Sequence, residues 1–261
     1  MKRGSDKKRD IKHDDKEFGH TDQQEESDEE REFYGSDHIV SDKIISSGLI
    51  SEQPSLPKNF EDRQKWKRLI VILEAANLQT TKTKRGTMEL INCDDHQRTI
   101  KHMHKKYEDF RPDITHQCLL SLMDSPLNKA GKLQVIIRTD KNVLIEVSPH
   151  MRVPRTYKRF AGLFAQLLTK LKIKAEDSQK TLLKVVKNTF DKVLPVNIRK
   201  IGTSSKAKLV DLQEYVDNLE EMDNGKPLAF VIGAVSIGNP AMEVEGIDDC
   251  VCVSSYSLSA A

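Results

Sequence analysis

Seven cations, Arg152, Arg155, Lys158, Arg159, Lys170, Lys172 and Lys174, fall between Val147 and Ala175, and no Asp or Glu falls among them. Charge of one sign is unfavourable to gather unless an anion shares it, so the stretch suits a polyanion such as RNA. Its first members are mostly arginines, and a guanidinium can pair with phosphate through two parallel hydrogen bonds or stack on a base. Pro154 suits the first turn of a helix, on which Arg155 and Arg159, four residues apart, would share one face. The unpaired N–H groups at such a helix start also favour phosphate. A solvated helix face is the plainer reading of the same charges. Arg111 and Asp113, ahead of an apolar run, read either as an ion pair fixing a loop or as part of a site. Both hold if Asp113 keeps Arg111 ready for RNA.

A second kind of chemistry is suggested by three stretches of small residues, Ile201-Gly202-Thr203-Ser204, Val231-Ile232-Gly233-Ala234 with Gly238, and Val253-Ser254-Ser255-Tyr256-Ser257-Leu258-Ser259. Each follows an apolar run, and loops at strand carboxyl ends are where α/β sheets bind ligands. Ordinary turns explain any one of them taken singly. Several classes of chemistry lack their motif: there is no GxGxxG, no GxxxxGK[ST], no GxSxG and no HExxH. Cys250 and Cys252 have no partner pair at zinc-ligand spacing, so no metal is expected. Cys118 reads as a buried thiol, and all four cysteines as reduced.

These residues need elements to place them. Lys67 to Glu74 is a continuous aliphatic run, expected as a strand covered on both faces and hence in a parallel-type sheet. Helices are expected over Asp94–Lys106, with His102 and His104 on different sides, and over Ile114–Met123, with Leu119, Leu122 and Met123 facing the core. Leu133–Thr139 and Asn142–Val147 read as a hairpin turning at Asp140-Lys141. From Tyr157 to Leu171 the residues Phe160, Leu163, Phe164, Leu167, Leu168 and Leu171 follow an amphipathic helical period. Further apolar runs at Leu182–Val186, Leu228–Ala234 and Cys250–Ser254 alternate with helical or loop segments. The fold class is therefore α/β, a mostly parallel sheet flanked by helices.

The chain has 261 residues, 31% of them charged, and a formal net charge of +2. Residues 1–34 hold 8 Lys+Arg against 12 Asp+Glu, a net −4 that leaves +6 for the remainder. Residues 1–62 are expected to form a disordered charged tail and linker, with too few apolar side chains to offset chain entropy. The cluster Lys2, Arg3, Lys7, Lys8, Arg9 reads as a solvated tail or a nuclear import signal. No window has the roughly 18 apolar residues of a membrane span, and the start is too charged for a secretory signal.

The blocks RPDITHQCLLSLMDSPLNKAGKLQV (Arg111–Val135), NVLIEVSPHMRVPRTYKRFAGL (Asn142–Leu163), LLKVVKN, FVIGA and SYSLSAA resemble the SPOUT-class pseudouridine methyltransferases of small-subunit ribosomal RNA. The similarity runs from about Leu69 to Ala261. It implies a SPOUT-like domain over 63–261 with a carboxyl-terminal trefoil knot, which pattern reading would never propose. It also implies a homodimer, S-adenosyl-L-methionine as methyl donor, small-subunit ribosomal RNA and ribosome assembly factors as partners, and a nucleolar location in the nucleus. By matching positions, Arg111, Arg152, Arg155 and Arg159 would contact rRNA, with Asp113 supporting Arg111 and standing as the one acidic candidate for catalysis. Thr203, Gly233, Gly238, Val253, Ser254, Ser255, Tyr256, Ser257 and Leu258 would line the cofactor pocket. Two departures qualify the resemblance. Ser257 stands where the family carries a proline, which loosens a backbone expected to be stiff, and the family's closing helix would lie beyond Ala261. The rival expectation is a non-catalytic rRNA-binding assembly factor that lacks cofactor binding.

Overall fold

A computed structural model of the chain describes residues 57, 59–175, 180–186, 193–223, 226–244 and 246–260. The expected charged tail, the basic cluster Lys2–Arg9 and most of the linker lie outside the described residues. The first helix, α1 (Phe60–Lys65), straddles the 62/63 boundary drawn from sequence.

An eight-stranded sheet organises residues 69–252, in the order β10-β8-β9-β1-β4-β5-β7-β6. Its strands are β1 (Leu69–Ala76), β4 (Leu133–Thr139), β5 (Leu144–Val147), β6 (Lys172–Lys174), β7 (Thr181–Val186), β8 (Arg199–Leu209), β9 (Leu228–Gly233) and β10 (Asp249–Cys252). The first five in that order, β10 to β4, are parallel to one another, whereas β5, β7 and β6 continue the sheet antiparallel. A small separate hairpin is formed by β2 (Thr80–Lys82) and β3 (Met88–Leu90).

β1 sits at the centre for the reason its sequence suggests. Successive side chains on a strand point to opposite faces, and both faces here are covered. Val71 and Leu73 enter one core, with Leu119, Phe160, Phe164 and Leu167. Ile70 and Ile72 enter another, with Leu144, Val193, Leu194 and Ala241. Helix α3 (Pro112–Met123) and helix α5 (Tyr157–Lys170) supply the first of these layers. The hairpin β4–β5 turns as expected, with Asn142 at φ 59° closing it. Short helices α2 (Gln97–His102), α4 (Pro126–Lys129) and α7 (Pro240–Glu243), a 3-10 turn at Tyr107–Asp109 and the amphipathic α6 (Leu212–Asp223) complete the described elements.

Five expectations are corrected. The helix expected over Asp94–Lys106 is only α2 (Gln97–His102). The Asn92 side chain accepts from the backbone N–H groups of Asp94 and Asp95 at 3.0 and 2.8 Å, which makes a turn of the residues expected to start the helix. His104, at φ 53°, lies beyond its end rather than on another side of it. Helix α5 starts at Tyr157, so Pro154 and Arg155 precede it and Arg155 does not share a helix face with Arg159. Buried His116 donates from Nε2 to the Pro154 carbonyl at 2.7 Å, fixing that segment against α3. Leu171 leaves the apolar stripe, because it caps α5 in the left-handed conformation and is exposed. Finally, Ile201–Ser204 is not a loop but part of β8.

Candidate active site

Arg111 and Asp113 open α3. Pro112 occupies the first helical position, and Asp113 lies in the first turn, where the helix dipole favours a carboxylate. Arg111 Nε donates to both Asp113 oxygens at 2.9 and 3.1 Å, and Nη2 donates to Oδ2 at 2.7 Å. The guanidinium is thus held by a planar fork, and that bonding raises its pKa further above its ordinary value.

The pair stands on the wall of a cavity of about 640 Å³. That size falls in the range of small-molecule sites, roughly 300–1,000 Å³. The same α3 face adds Ile114 and Gln117. Opposite them come the carboxyl ends of β9 (Ile232 and Gly233) and β10 (Val251 and Cys252), with Thr203–Ser205 from the middle of β8. The segments 253–254 and 256–260 close the wall.

β8 reaches the cavity by a local break in pairing. β10 residues Asp249 and Cys250 pair with Ile201 and Gly202, but the next two, Val251 and Cys252, pair with Lys208 and Leu209. Residues 203–207 therefore bulge from the ladder. Ser204, buried, donates from its hydroxyl to Asn239 Oδ1 at 2.8 Å and ties the bulge to the loop after β9. Thr203 donates to the Val231 carbonyl at 3.3 Å. Glycine is required at two positions. A Cβ on Gly233 would lie 2.9 Å from Pro240 Cγ, and one on Gly202 would lie 2.9 Å from the Ala241 carbonyl oxygen. The end of the chain is held down by Cys118, whose buried thiol donates to the Ala260 carbonyl at 3.4 Å. Burial pushes that thiol's pKa up to about 11.

The structure thus gathers Arg111, Asp113, Thr203, Gly233, Gly238, Val253, Ser254, Tyr256, Ser257 and Leu258 around one cavity. Ser255, Arg152, Arg155 and Arg159 do not line it. Arg155 pairs at 3.0 Å with Asp124, which caps the far end of α3, and both side chains are largely exposed. Arg152 and Arg159 are exposed as well. The Arg155–Asp124 and Arg111–Asp113 pairs thus stand at opposite ends of one helix about 18 Å long, while Pro154 packs on His116 nearer its start. Sequence reasoning missed Gln117, Ser205, Ser236 and Asn239. Gln117 had a usable signal, being four residues after Asp113 on an expected helix. The Ser204–Asn239 link has none, since no local pattern connects residues 35 apart.

A family model described as EMG1/NEP1 methyltransferase matches residues 71–261. The chain belongs to that family. It is 45% identical over 213 residues to the ribosomal RNA small subunit methyltransferase NEP1 of Candida albicans, covering 79% of each chain. To the protein of the same name from Homo sapiens it is 48% identical over 196 residues, covering 75% of this chain and 77% of that one. Among solved structures it is similar to Archaeoglobus fulgidus Nep1 bound to S-adenosylhomocysteine, with a TM-score of 0.58 and 23% identity over 74% of this chain and 91% of that chain. That likeness extends to the fold, a mostly parallel sheet with flanking helices. No helix among the described residues is long and apolar enough to cross a membrane.

Proposed function

We propose that the chain transfers the methyl group of S-adenosyl-L-methionine to N1 of a pseudouridine in small-subunit ribosomal RNA, as a homodimer acting in nucleolar ribosome assembly. The observation that carries this reading is the meeting of a preorganised Arg–Asp pair with three small-residue segments around one cavity, in a chain of this family. Relatives named as small-subunit rRNA methyltransferases, and an archaeal Nep1 solved with S-adenosylhomocysteine, support the donor and the substrate.

Thr203, Gly233, Gly238, Val253–Ser254 and Tyr256–Leu258 would hold the cofactor. The cavity fits it in size, and Gly233 keeps the floor free of a side chain where Pro240 already presses. Bound there, S-adenosyl-L-methionine would supply an electrophilic methyl group. The chain's own part is chiefly placement, since holding two reactants in line removes much of an entropic barrier. Arg152, Arg155 and Arg159 would take phosphates, and Arg111 would take the RNA beside the cavity. Asp113 acts through Arg111 as a positioning residue, because both its oxygens are committed to that guanidinium. A role as the base that accepts the ring proton would require it to release Arg111 first.

Exposed apolar side chains at Leu209, Leu212, Ile237, Met242 and Tyr256 favour a partner surface in the last third of the chain. The homodimer and the knot are carried by the family resemblance.

Calorimetric titration with S-adenosyl-L-methionine tests the proposal. The native chain is expected to bind, and Gly233→Ala to bind at least about tenfold more weakly, since its Cβ displaces Pro240 at the cavity wall. A folded sample that evolves no heat would remove the enzymatic reading and leave an RNA-binding assembly factor.

A further inference from the structure

From His96 to Tyr107 the chain reads HQRTIKHMHKKY, with Arg98, Lys101, Lys105, Lys106 and three histidines but no carboxylate. The fold makes this an ordered elbow. Ile100 and Phe110 are fully buried with Ile91 in a small core of their own. Between those anchors every residue from Lys101 to Asp109 is exposed, including Met103 and Tyr107. α2 stops at His102, and His104 adopts φ 53°, a left-handed conformation that costs a non-glycine residue free energy unless its surroundings impose it. Backbone bonds from Met103 to Thr99 and from His104 to Lys101, both 3.1 Å, impose it. Among the described residues, none of Arg98, Lys101, Lys105 and Lys106 has a carboxylate within salt-bridge distance. The nearest acidic residues in sequence, Asp94 and Asp95, Glu108 and Asp109, flank the elbow, and Glu89 meets only its first residue, His96, at 3.3 Å.

The elbow is also fastened to the cavity. Phe110 runs directly into Arg111, and Cys93 N–H donates to the Phe110 carbonyl at 3.0 Å. The hydroxyl of Ser236, a cavity residue, donates to the Glu108 carbonyl. Cations with an exposed aromatic ring among them are what a single nucleic-acid strand recognises: lysines neutralise phosphates, and the ring stacks on a base. An acidic peptide would use the cations but not the ring.

We propose that this elbow is a second RNA-binding surface, on which Lys101, Lys105 and Lys106 meet phosphates and Tyr107 stacks on a base of the strand leaving the cavity. It rests on the rRNA-directed reading above and extends the footprint to the segment that leads into Arg111. The test is fluorescence anisotropy of the full chain with a labelled oligouridine RNA of about 20 nucleotides, titrated between roughly 50 and 200 mM salt. The triple variant Lys101→Ala, Lys105→Ala, Lys106→Ala is expected to bind at least about tenfold more weakly and to lower the salt slope by about 2, the value for three lost single-strand contacts. Tyr107→Ala is expected to lose roughly tenfold with the slope unchanged. Lys105 lies over the Phe110 ring at 5.8 Å, but all four side chains are exposed, so melting temperatures should stay close to the native value, and a triple Lys→Arg variant should keep native affinity. If the elbow variants bind like the native chain while Arg155→Ala, Arg159→Ala binds weakly, the elbow proposal is overturned and the wider reading stands. If every variant binds like the native chain, RNA recognition by either surface is wrong.

Discussion

At the scale of single residues, the Arg111–Asp113 pair separates stability from function. Both side chains are 41% exposed, and pairs this open contribute at most about 1 kcal/mol to folding. Asp113→Ala should therefore leave Tm nearly unchanged yet weaken rRNA binding several-fold, because Arg111 loses its fixed orientation. Asp113→Glu should recover part of the loss. Unchanged RNA affinity with a lowered Tm would instead make the pair a loop fastener, the plainer of the two readings that the sequence left open. The Cys118 thiol makes a separate point about pH. Its folded-state pKa, near 11, lies above the unfolded value of about 8.5. The folded chain thus holds a proton that the unfolded chain gives up, and stability is complete below pH ~8.5 and falls as pH rises towards 11. Cys118→Ala should shallow that alkaline loss in denaturant titrations, and in native alkylation at pH ~8 this thiol should remain protonated and unreacted. Rapid native labelling of Cys118 would contradict its burial beneath Ala260.

At the scale of elements, the sheet is tied at the end opposite the cavity by a polar network that the sequence did not disclose. Arg63 of α1 donates to both Glu146 oxygens, at 2.8 and 3.3 Å. Gln134 joins Glu146 at 3.3 Å, and Arg68 joins Gln134 at 2.6 Å. Burial, reinforced by the neighbouring Arg63, lowers the Arg68 pKa to about 10. Glu146→Ala would leave two guanidinium groups beside each other with their shared carboxylate gone. The expected cost is about 3 kcal/mol, a fall in Tm of roughly 6–12 °C by calorimetry. A native Tm would show the network to be idle. None of these partners could be paired from sequence, because they lie on separate elements and the pairing depends on the strand order. What was legible was the periodicity. β1, the β4–β5 hairpin, α3 and α5 all announce themselves by runs of apolar residues at the right spacing. β8 does not, because its outer half, Ser205-Lys206-Ala207-Lys208-Leu209, is mostly exposed and reads as a polar loop. The early stop of α2 likewise depends on a left-handed His104 that no composition signals.

At the scale of the whole molecule, charge and cavity are laid out along α3. Arg155 pairs with Asp124 at its carboxyl end, Arg111 and the cavity lie at its amino end, and the α2 elbow leads into Arg111 and meets the cavity residue Ser236. The sequence offered the members of this arrangement as separate anomalies, a basic stretch, an Arg–Asp pair and three groups of small residues. Only the parallel order of β8, β9 and β10 brings the last of these together, and only the packing of segment 256–260 brings them to Arg111. This arrangement is expected to methylate small-subunit rRNA. Its most direct test uses rRNA from cells that lack this methylation, S-adenosyl-L-methionine with a labelled methyl group, and nucleoside analysis by mass spectrometry. Labelled N1-methylpseudouridine is expected, formed in step with S-adenosylhomocysteine and reduced in the Arg155→Ala, Arg159→Ala variant. Folded protein that binds the RNA but leaves every nucleoside unlabelled would contradict it.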